Sequence, residues 1–341
     1  MKSPKVIIDG RPLVGNRTGI GVHTAEIARR LPFEPPPVIA SHAWIENRDG
    51  IDHCRFEVNP FPFGVLWQQI ALPTIAGDVF WGPHGTLPVM LRKPAVITLH
   101  DFTSITMPGR HELKTILSFN LFIARSLEIA HRVAAVSRAI ADDAIRGFGV
   151  PLSKIEIVPN GVDEFFSPGD GGEGDYILFV GTLEPRKGLD DLIAAWSSLD
   201  PRPRLVLCGD PGWRTRINAP GVDYTGFVSR ERLRELYRGA MLFVYPSRYE
   251  GFGIPPLEAM SCGAPVIATR TGAIGEYAGD AAIVIDPGDR DALREAIVRL
   301  IRDRTLRNEL RERGPQRASH YRWDGSAKIM AELLTEAARC G

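Results

Sequence analysis

The chain has 341 residues, of which 41 are Lys or Arg and 41 are Asp or Glu, so its formal net charge is zero. With 44% hydrophobic and 24% charged residues, it is too apolar to be disordered. The balance gives no whole-chain support to nucleic-acid binding, and the length suits two domains of roughly 150 residues each. No run approaches the roughly 20 apolar residues of a membrane span. Cys54, Cys208, Cys262 and Cys340 are scattered without a C-x-x-C pair, which reads as packing or surface thiols in a reducing compartment. The start has only three apolar residues in a row and reads as a first strand rather than a signal peptide. A soluble, cytoplasmic protein is expected, with peripheral membrane contact left open.

Short Val/Ile-rich runs alternate with longer segments of helical periodicity. In chain order the expected strands are Val6–Ile8, Val38–Ser41, Val79–Trp81, Val96–His100, Arg132–Val136 and Ile155–Val158. A second series runs Tyr176–Val180, Leu205–Cys208, Val222–Tyr224, Leu242–Tyr245, Val266–Ala268 and Ala282–Ile285. Helical spacing predicts helices over Thr115–Ala130, Ser137–Phe148, Leu189–Ser198, Glu231–Gly239 and Asp291–Arg302. Continuous apolar strands between helices imply βαβ units and parallel sheets. Turn-forming residues crowd Ser167–Asp175, the best linker in the chain. Two doubly wound α/β domains are therefore expected, residues 1–165 and 166–320. A closing helix, 321–338, carries Ile329, Met330, Leu333 and Leu334 on one face.

The most specific stretch is Glu250-Gly-Phe-Gly-Ile-Pro-Pro-Leu-Glu258, after the strand Leu242–Tyr245. Gly251 and Gly253 let backbone amides approach a ligand, and the prolines suit the first turn of a helix over 255–261. Such a loop aims amides at an oxygen-rich group. Glu250 and Glu258 can each accept two hydroxyl protons, the way proteins grip sugar rings. The bland alternative is a capped turn with two solvated acids. A second loop, Gly181-Thr-Leu-Glu-Pro-Arg-Lys-Gly188, carries Arg186 and Lys187 into a helix from Leu189. Cations beside a helix N-terminus suit a pyrophosphate and would stabilise charge growing on a departing diphosphate. Two exposed basic residues at a turn are the alternative.

Three further places bear on a site. The loop Gly15–Gly21 follows the first strand and precedes a helix expected from Val22. Its Gly-x-Gly does not complete a dinucleotide fingerprint, because position 24 is Thr. His100 closes a strand, where open α/β sheets place ligand groups, and Asp101 reads equally well as a turn cap. Asp289-Arg-Asp291 looks like a metal motif but precedes a helix, so N-capping accounts for it better, and no catalytic metal is expected. The aromatic run Phe61–Trp67 and the segment Arg110–Arg132, which includes Lys114 and Arg125, read as core helix with a solvated face. The sharper reading is an acceptor groove or membrane-surface patch.

Glu-x7-Glu after a strand, followed by Ala259-Met-Ser-Cys-Gly-Ala-Pro-Val-Ile-Ala268, resembles glycosyltransferase family 4. So do Val158-Pro-Asn-Gly-Val-Asp163, Phe179–Gly188, Tyr224-Thr-Gly-Phe-Val228 and Asp280–Gly288. The resemblance spans nearly the whole chain. It implies a GT-B fold, two facing Rossmann-like domains with an interdomain cleft, and the closing helix packed back on the first domain. It implies a retaining hexosyltransferase using a nucleotide sugar without a metal. Glu258 then binds the ribose hydroxyls. Glu250, with the amides of Gly251, Phe252 and Gly253, holds the donor sugar. Gly19, Ile20, Gly21, Thr182 and Val228 complete the donor site, and His100 contacts the sugar. Lys187 carries over directly. Many members have Arg where Thr182 stands, so Arg186 is the candidate for that cation, and Asp163 falls near the hinge. No carboxylate nucleophile is evident, so a front-face route, with the diphosphate assisting acceptor deprotonation, fits better.

The Gly-Thr-Leu-Glu-Pro-Arg-Lys variant resembles bacterial mannosyltransferases of lipopolysaccharide and exopolysaccharide assembly. That implies GDP-mannose as donor and a glycan or lipid-linked acceptor, with a UDP-sugar such as UDP-glucose as runner-up. A nucleotide-sugar epimerase or hydrolase of the same fold, and a non-catalytic nucleotide-sugar-binding partner, are the other readings.

Overall fold

The computed structural model describes residues 3–106, 113–169, 174–210 and 220–340, without the side chains of 104, 106 and 113–119. Arg110, the Lys114 side chain and residues 170–173 of the turn-rich stretch lie outside the described residues. The chain divides into two compact units, Met1–Gly161 with Trp323–Gly341, and Val162–Arg322.

The first unit runs β1 (Val6–Asp9), α1 (Gly19–Ala28), β2 (Val38–Ser41), β3 (Arg55–Val58), α2 (Gly64–Ile70), β4 (Val79–Gly82) and β5 (Ala95–Leu99). It continues with α3 (Thr103–Thr106), α4 (Leu113–Ile129), β6 (Arg132–Ala135), α5 (Arg138–Phe148) and β7 (Ile155–Ile157). Among the described residues the strands form one sheet in the order β3-β2-β1-β4-β5-β6-β7, every pair parallel. β1, β2, β4 and β5 are buried along their whole length, as a parallel sheet covered on both faces requires. β3 is the edge strand and alternates exposed and half-buried residues.

The second unit runs β8 (Tyr176–Val180), α6 (Leu189–Ser197), β9 (Arg204–Cys208), β10 (Val222–Gly226), α7 (Arg230–Gly239) and β11 (Leu242–Tyr245). It continues with α8 (Ile254–Ser261), β12 (Val266–Thr269), α9 (Ile274–Ala278), β13 (Ile283–Ile285), α10 (Arg290–Arg302) and α11 (Arg304–Ala318). Its sheet, also parallel, has the order β10-β9-β8-β11-β12-β13 among the described residues. The two ends of this unit meet, because Val162 and Arg322 form a parallel bridge.

The last helix, α12 (Trp323–Ala338), belongs to the first unit and packs on α1, β4, β5 and β6. It buries Trp323, Met330, Leu333 and Leu334, while Ile329 is half-buried. Two expected boundaries move. The first division falls at 161/162 rather than 165/166, and the second at 322/323 rather than 320/321. The described ends of the turn-rich stretch are tied into the second unit. Arg238 Nε donates to the Ser167 carbonyl at 2.7 Å, and the Gly174 amide donates to the Gly239 carbonyl at 2.9 Å.

Among the described residues no helix is long and apolar enough to cross a membrane. Cys54, Cys208 and Cys262 are buried free thiols, and Cys340 is an exposed one. Because Leu334 is fully buried in α12, Leu334→Ala should lower stability by about 2–5 kcal/mol. Urea denaturation would show it as a lower midpoint, and an unchanged midpoint would contradict the packing.

Candidate active site

In an open parallel sheet, ligands sit beyond the strand C-termini where the strand order reverses. In the second unit that point lies between β8 and β11, which are neighbours in the sheet. The turn after β8 carries Arg186 and Lys187 in a short 3-10 turn, Pro185–Lys187. The loop after β11 carries Glu250 and leads into α8. The two loops touch. A Cβ on Gly188, at φ +67°, would lie 2.1 Å from the Pro246 carbonyl oxygen, so only glycine permits the approach. The Arg248 amide donates to the Arg186 carbonyl at 2.8 Å. The Arg248 guanidinium clamps Asp190 and Asp191 in the first turn of α6, at 2.9 and 2.7 Å.

Arg186 and Lys187 are not the exposed basic residues of a bland turn. Lys187 is 6% exposed. Its Nζ donates to the Tyr245 hydroxyl at 2.6 Å and to Glu250 Oε1 at 2.6 Å. Arg186 pairs with Glu184 at 2.8 Å and with Glu250 Oε1 at 3.5 Å. The Tyr245 hydroxyl donates to Glu250 Oε1 at 3.1 Å, and the Ser247 hydroxyl donates to the same oxygen at 2.5 Å. The expected arrangement put free cations against a diphosphate and free acids against hydroxyls. Instead, both cations are held by carboxylates of the protein. The first turn of α6 also carries its own acids, Asp190 and Asp191, which complement the helix dipole. Both the helix end and the side-chain cations of this turn are therefore already matched by acids of the protein.

The two glutamates differ. Burial raises the pKa of Glu250, but the charges of Lys187 and Arg186 and the hydrogen bonds from Lys187 and Ser247 outweigh it and hold the carboxyl below its ordinary value. Burial lowers Lys187 against the opposing pull of Glu250. Glu258, half-buried on α8, has one hydrogen bond from the Tyr237 hydroxyl, at 3.0 Å. Burial pushes it up to about 7, with Tyr237 and Arg230 pulling down and Asp163 pushing up.

The remaining expected residues of this unit scatter more. Phe252 is buried against Tyr277 and Tyr321, so its ring is core and only its backbone is left to meet a ligand. Gly251 and Gly253 are buried beside it, and the Gly253 carbonyl accepts from the Tyr277 hydroxyl at 2.6 Å. Thr182 is exposed. Val228 is half-buried after β10, an edge strand separated from β8 by β9. Asp163 accepts from the Phe165 amide at 2.9 Å and pairs with Arg230 at 3.3 Å, a turn role. Asp289 caps α10 by accepting from the Ala292 amide at 2.9 Å.

In the first unit the order reverses between β1 and β4, and there the structure shows a cluster the sequence reading missed. Asp9, fully buried, holds Arg11 through contacts of 3.0 and 2.7 Å. Gln68 of α2 joins Asp9 at 3.3 Å and the Thr86 carbonyl at 2.9 Å. The available signal was an acid closing the apolar strand Val6–Asp9, followed at once by Gly10 and Arg11. Helix α1 begins at Gly19, not Val22, so Gly19, Ile20 and Gly21 form its first turn rather than a loop. A Cβ on Gly21 would lie 2.5 Å from the Pro12 carbonyl oxygen, so this glycine is needed for packing.

His100 follows β5, and its Nε2 lies 2.9 Å from the Pro83 carbonyl. A carbonyl only accepts, so Nε2 carries the proton and Nδ1 is the acceptor. Burial pushes its pKa down to about 4, and it stays neutral at physiological pH. Its ring stands edge-on to His23 at 4.7 Å, and His23 is tied to Asn160 at 2.7 Å. Asp101 caps a turn, accepting from the Thr103 amide at 3.0 Å.

On α2, Trp67 and Gln68 are buried, while Leu66, Ile70 and the preceding Phe63 are exposed. A groove of about 500 Å³, lined by Arg30, Asp324, Lys328, Glu332 and Glu336, lies between the end of α1 and α12. Because α1 runs back along the sheet from the C-terminal end of β1, this groove sits away from the strand C-termini where the clusters above lie. Among the described residues no group of three His, Cys, Asp or Glu converges as metal ligands would.

Known proteins resemble this chain in sequence and in fold. Residues 17–164 match the Glycosyltransferase Family 4 description, and residues 163–317 match Glycosyl transferases group 1. O-antigen chain mannosyltransferase B of Escherichia coli is 32% identical over 75% of this chain and 74% of its own length. An uncharacterized glycosyltransferase of Methanocaldococcus jannaschii is 28% identical over 94% of this chain and 96% of its own. The crystal structure of Anabaena Alr3699/HepE in complex with UDP and glucose shares the fold, with TM-score 0.80, 21% identity, and coverage of 98% of this chain and 100% of that one. The chain belongs to the family 4 glycosyltransferases, has the GT-B α/β fold, and is a hexosyltransferase.

The raised Glu258 sets a pH dependence. An acid whose folded pKa is raised stabilises the fold below its unfolded value and loses that contribution as pH rises through the folded one. The rise from an ordinary 4.5 to about 7 bounds the loss at about 3 kcal/mol. Glu258→Gln should therefore raise Tm relative to the parent at pH 8, by roughly 2–8 °C, with the gain vanishing at pH 4.5. Thermal melts at both pH values test this, and an equal difference at both would refute it.

Proposed function

We propose that this glycosyltransferase moves mannose from GDP-mannose, with retention, to a hydroxyl of a glycan or lipid-linked acceptor in bacterial polysaccharide synthesis. The observation that carries the reading is the meeting of Arg186, Lys187 and Glu250 at the strand-order reversal of the second unit. Two side-chain cations there neutralise charge on a departing diphosphate, so the reaction runs without a metal and is unaffected by a chelator. Glu258 accepts ribose hydroxyls, and Glu250 and the 251–253 backbone hold the sugar. The departing diphosphate, rather than a carboxylate nucleophile, assists acceptor deprotonation. The mannosyl preference rests on relatives such as O-antigen chain mannosyltransferase B, with a UDP-sugar as the alternative.

Lys187→Ala should lower kcat about 10²–10³-fold, read by release of nucleoside diphosphate that depends on acceptor. Undiminished turnover would remove the electrostatic account. Thermal shift with GDP, UDP and their sugars tests the base. Stabilisation by GDP alone supports the donor named here, and stabilisation by UDP alone replaces it.

The exposed apolar face of α2, Phe63, Leu66 and Ile70, supports contact with the lipid part of an acceptor at a membrane surface. Flotation with anionic vesicles should fall when all three become Ser. Absence of flotation by the parent protein would sink this contact.

A further inference from the structure

Among the described residues the donors around Glu250 converge on one of its oxygens. Oε1 faces Ser247 Oγ at 2.5 Å, Lys187 Nζ at 2.6 Å, Tyr245 OH at 3.1 Å and Arg186 at 3.5 Å. A carboxylate has about four acceptor sites over its two oxygens, so four donors overfill one oxygen. Arg186 is held a second time by Glu184, at 2.8 Å. Among the described residues two cations thus face two carboxylates here, and their formal charges cancel.

An anion arriving there does not meet unclaimed positive charge. Both members of the Lys187–Glu250 pair are nearly buried, with side chains 8% and 10% exposed. In a medium less polar than water, breaking such a pair without replacing a partner is costly. A diphosphate can replace the partner, because it brings more charge and more acceptor oxygens than one carboxylate. The Tyr245 hydroxyl accepts from Lys187 at 2.6 Å, and Nζ lies 5.0 Å from the ring centroid. It can keep Lys187 in place while its anionic partner changes.

We propose that Glu184 and Glu250 are resident counter-ions that a nucleoside diphosphate displaces from Arg186 and Lys187, so that binding the diphosphate and freeing Glu250 for sugar hydroxyls are one coupled event. The coupling rests on the diphosphate reading above. It orders the site: the carboxylate that grips the sugar is released where, and only where, the diphosphate has taken the cations. Coupling is reciprocal, so neutralising either carboxylate must strengthen diphosphate binding even as it harms transfer.

Isothermal titration with GDP and with UDP, on the parent and on Glu250→Gln, Glu184→Gln, Lys187→Ala and the Glu250→Gln/Lys187→Ala double variant, tests this. Expected is roughly three- to tenfold tighter binding for each Gln variant, at least tenfold weaker binding for Lys187→Ala, and little gain from Glu250→Gln once Lys187 is absent. Unchanged or weaker binding by both Gln variants, with Lys187→Ala still weakened, overturns the coupling and leaves the diphosphate reading standing. Unchanged binding by Lys187→Ala, or no binding of either nucleotide by the parent, overturns both. Glu184 is the more exposed carboxylate, so Glu184→Gln carries the same prediction if Glu250→Gln does not fold.

Discussion

The feature on which the site depends is the reversal of strand order between β8 and β11. β8 pairs with β9 on one side and β11 on the other, so the loops leaving β8 and β11 are neighbours although some 60 residues separate them in sequence. A parallel sheet with right-handed crossovers sends its helices to opposite faces at such a point and opens a crevice at the strand C-termini. Gly188 lets the two loops close on each other, and Arg248 ties the second loop to the start of α6. The first unit repeats the logic at β1 and β4, where Asp9 and Arg11 meet Thr86 and Gln68.

Within the crevice, two glutamates separated by seven residues do different work because of their neighbours. Glu250 lies among cations and hydroxyl donors and is held ionised. Glu258 has one tyrosine hydroxyl for a direct partner and is pushed to the edge of protonation at neutral pH. The same side chain is thus held ionised in the loop and sits near half-protonation at neutral pH eight residues later, on α8. Burial acts on both, and only Glu250 has charges close enough to offset it.

Elements with a strong apolar period were legible in the sequence. The expected strands appear, three with both ends as expected and the others with ends shifted by one or two residues, since frayed ends carry little pattern. Helix α11 was not expected. Arg and Glu make up seven of its 15 residues, its buried face is short and mixed (Arg307, Leu310, Gly314 and Ala318), and arginines tie it to backbone carbonyls. Arg311 donates to the Ala240 carbonyl at 2.9 Å and Arg317 to the Tyr277 carbonyl at 2.7 Å. Periodicity cannot see such bonds, because their acceptors are backbone groups far along the chain. β3 was missed because an edge strand needs only one covered face, and the Phe61–Trp67 run divided into buried Trp67 and exposed Phe63 and Leu66 only once α2 had packed. Of the site, the glutamates, the cations and His100 were legible as residue types at turns after strands. Ser247, Tyr245, Tyr237, Asp9 and Gln68 were not, since nothing local marks a polar side chain as a partner.

The sequence by itself determined the alternation of strand and helix, and hence two parallel-sheet units. It also determined the identity of the groups at the strand ends, because both follow from short-range pattern. Only the tertiary structure decided that the cations are neutralised by Glu184 and Glu250, that Glu258 shares its carboxyl with Tyr237, and that the units divide at 161/162 and 322/323. Those outcomes depend on distances between residues remote in sequence, and a charge acquires its partner and its pKa only when folding brings the partner within a few ångströms and removes the water between them.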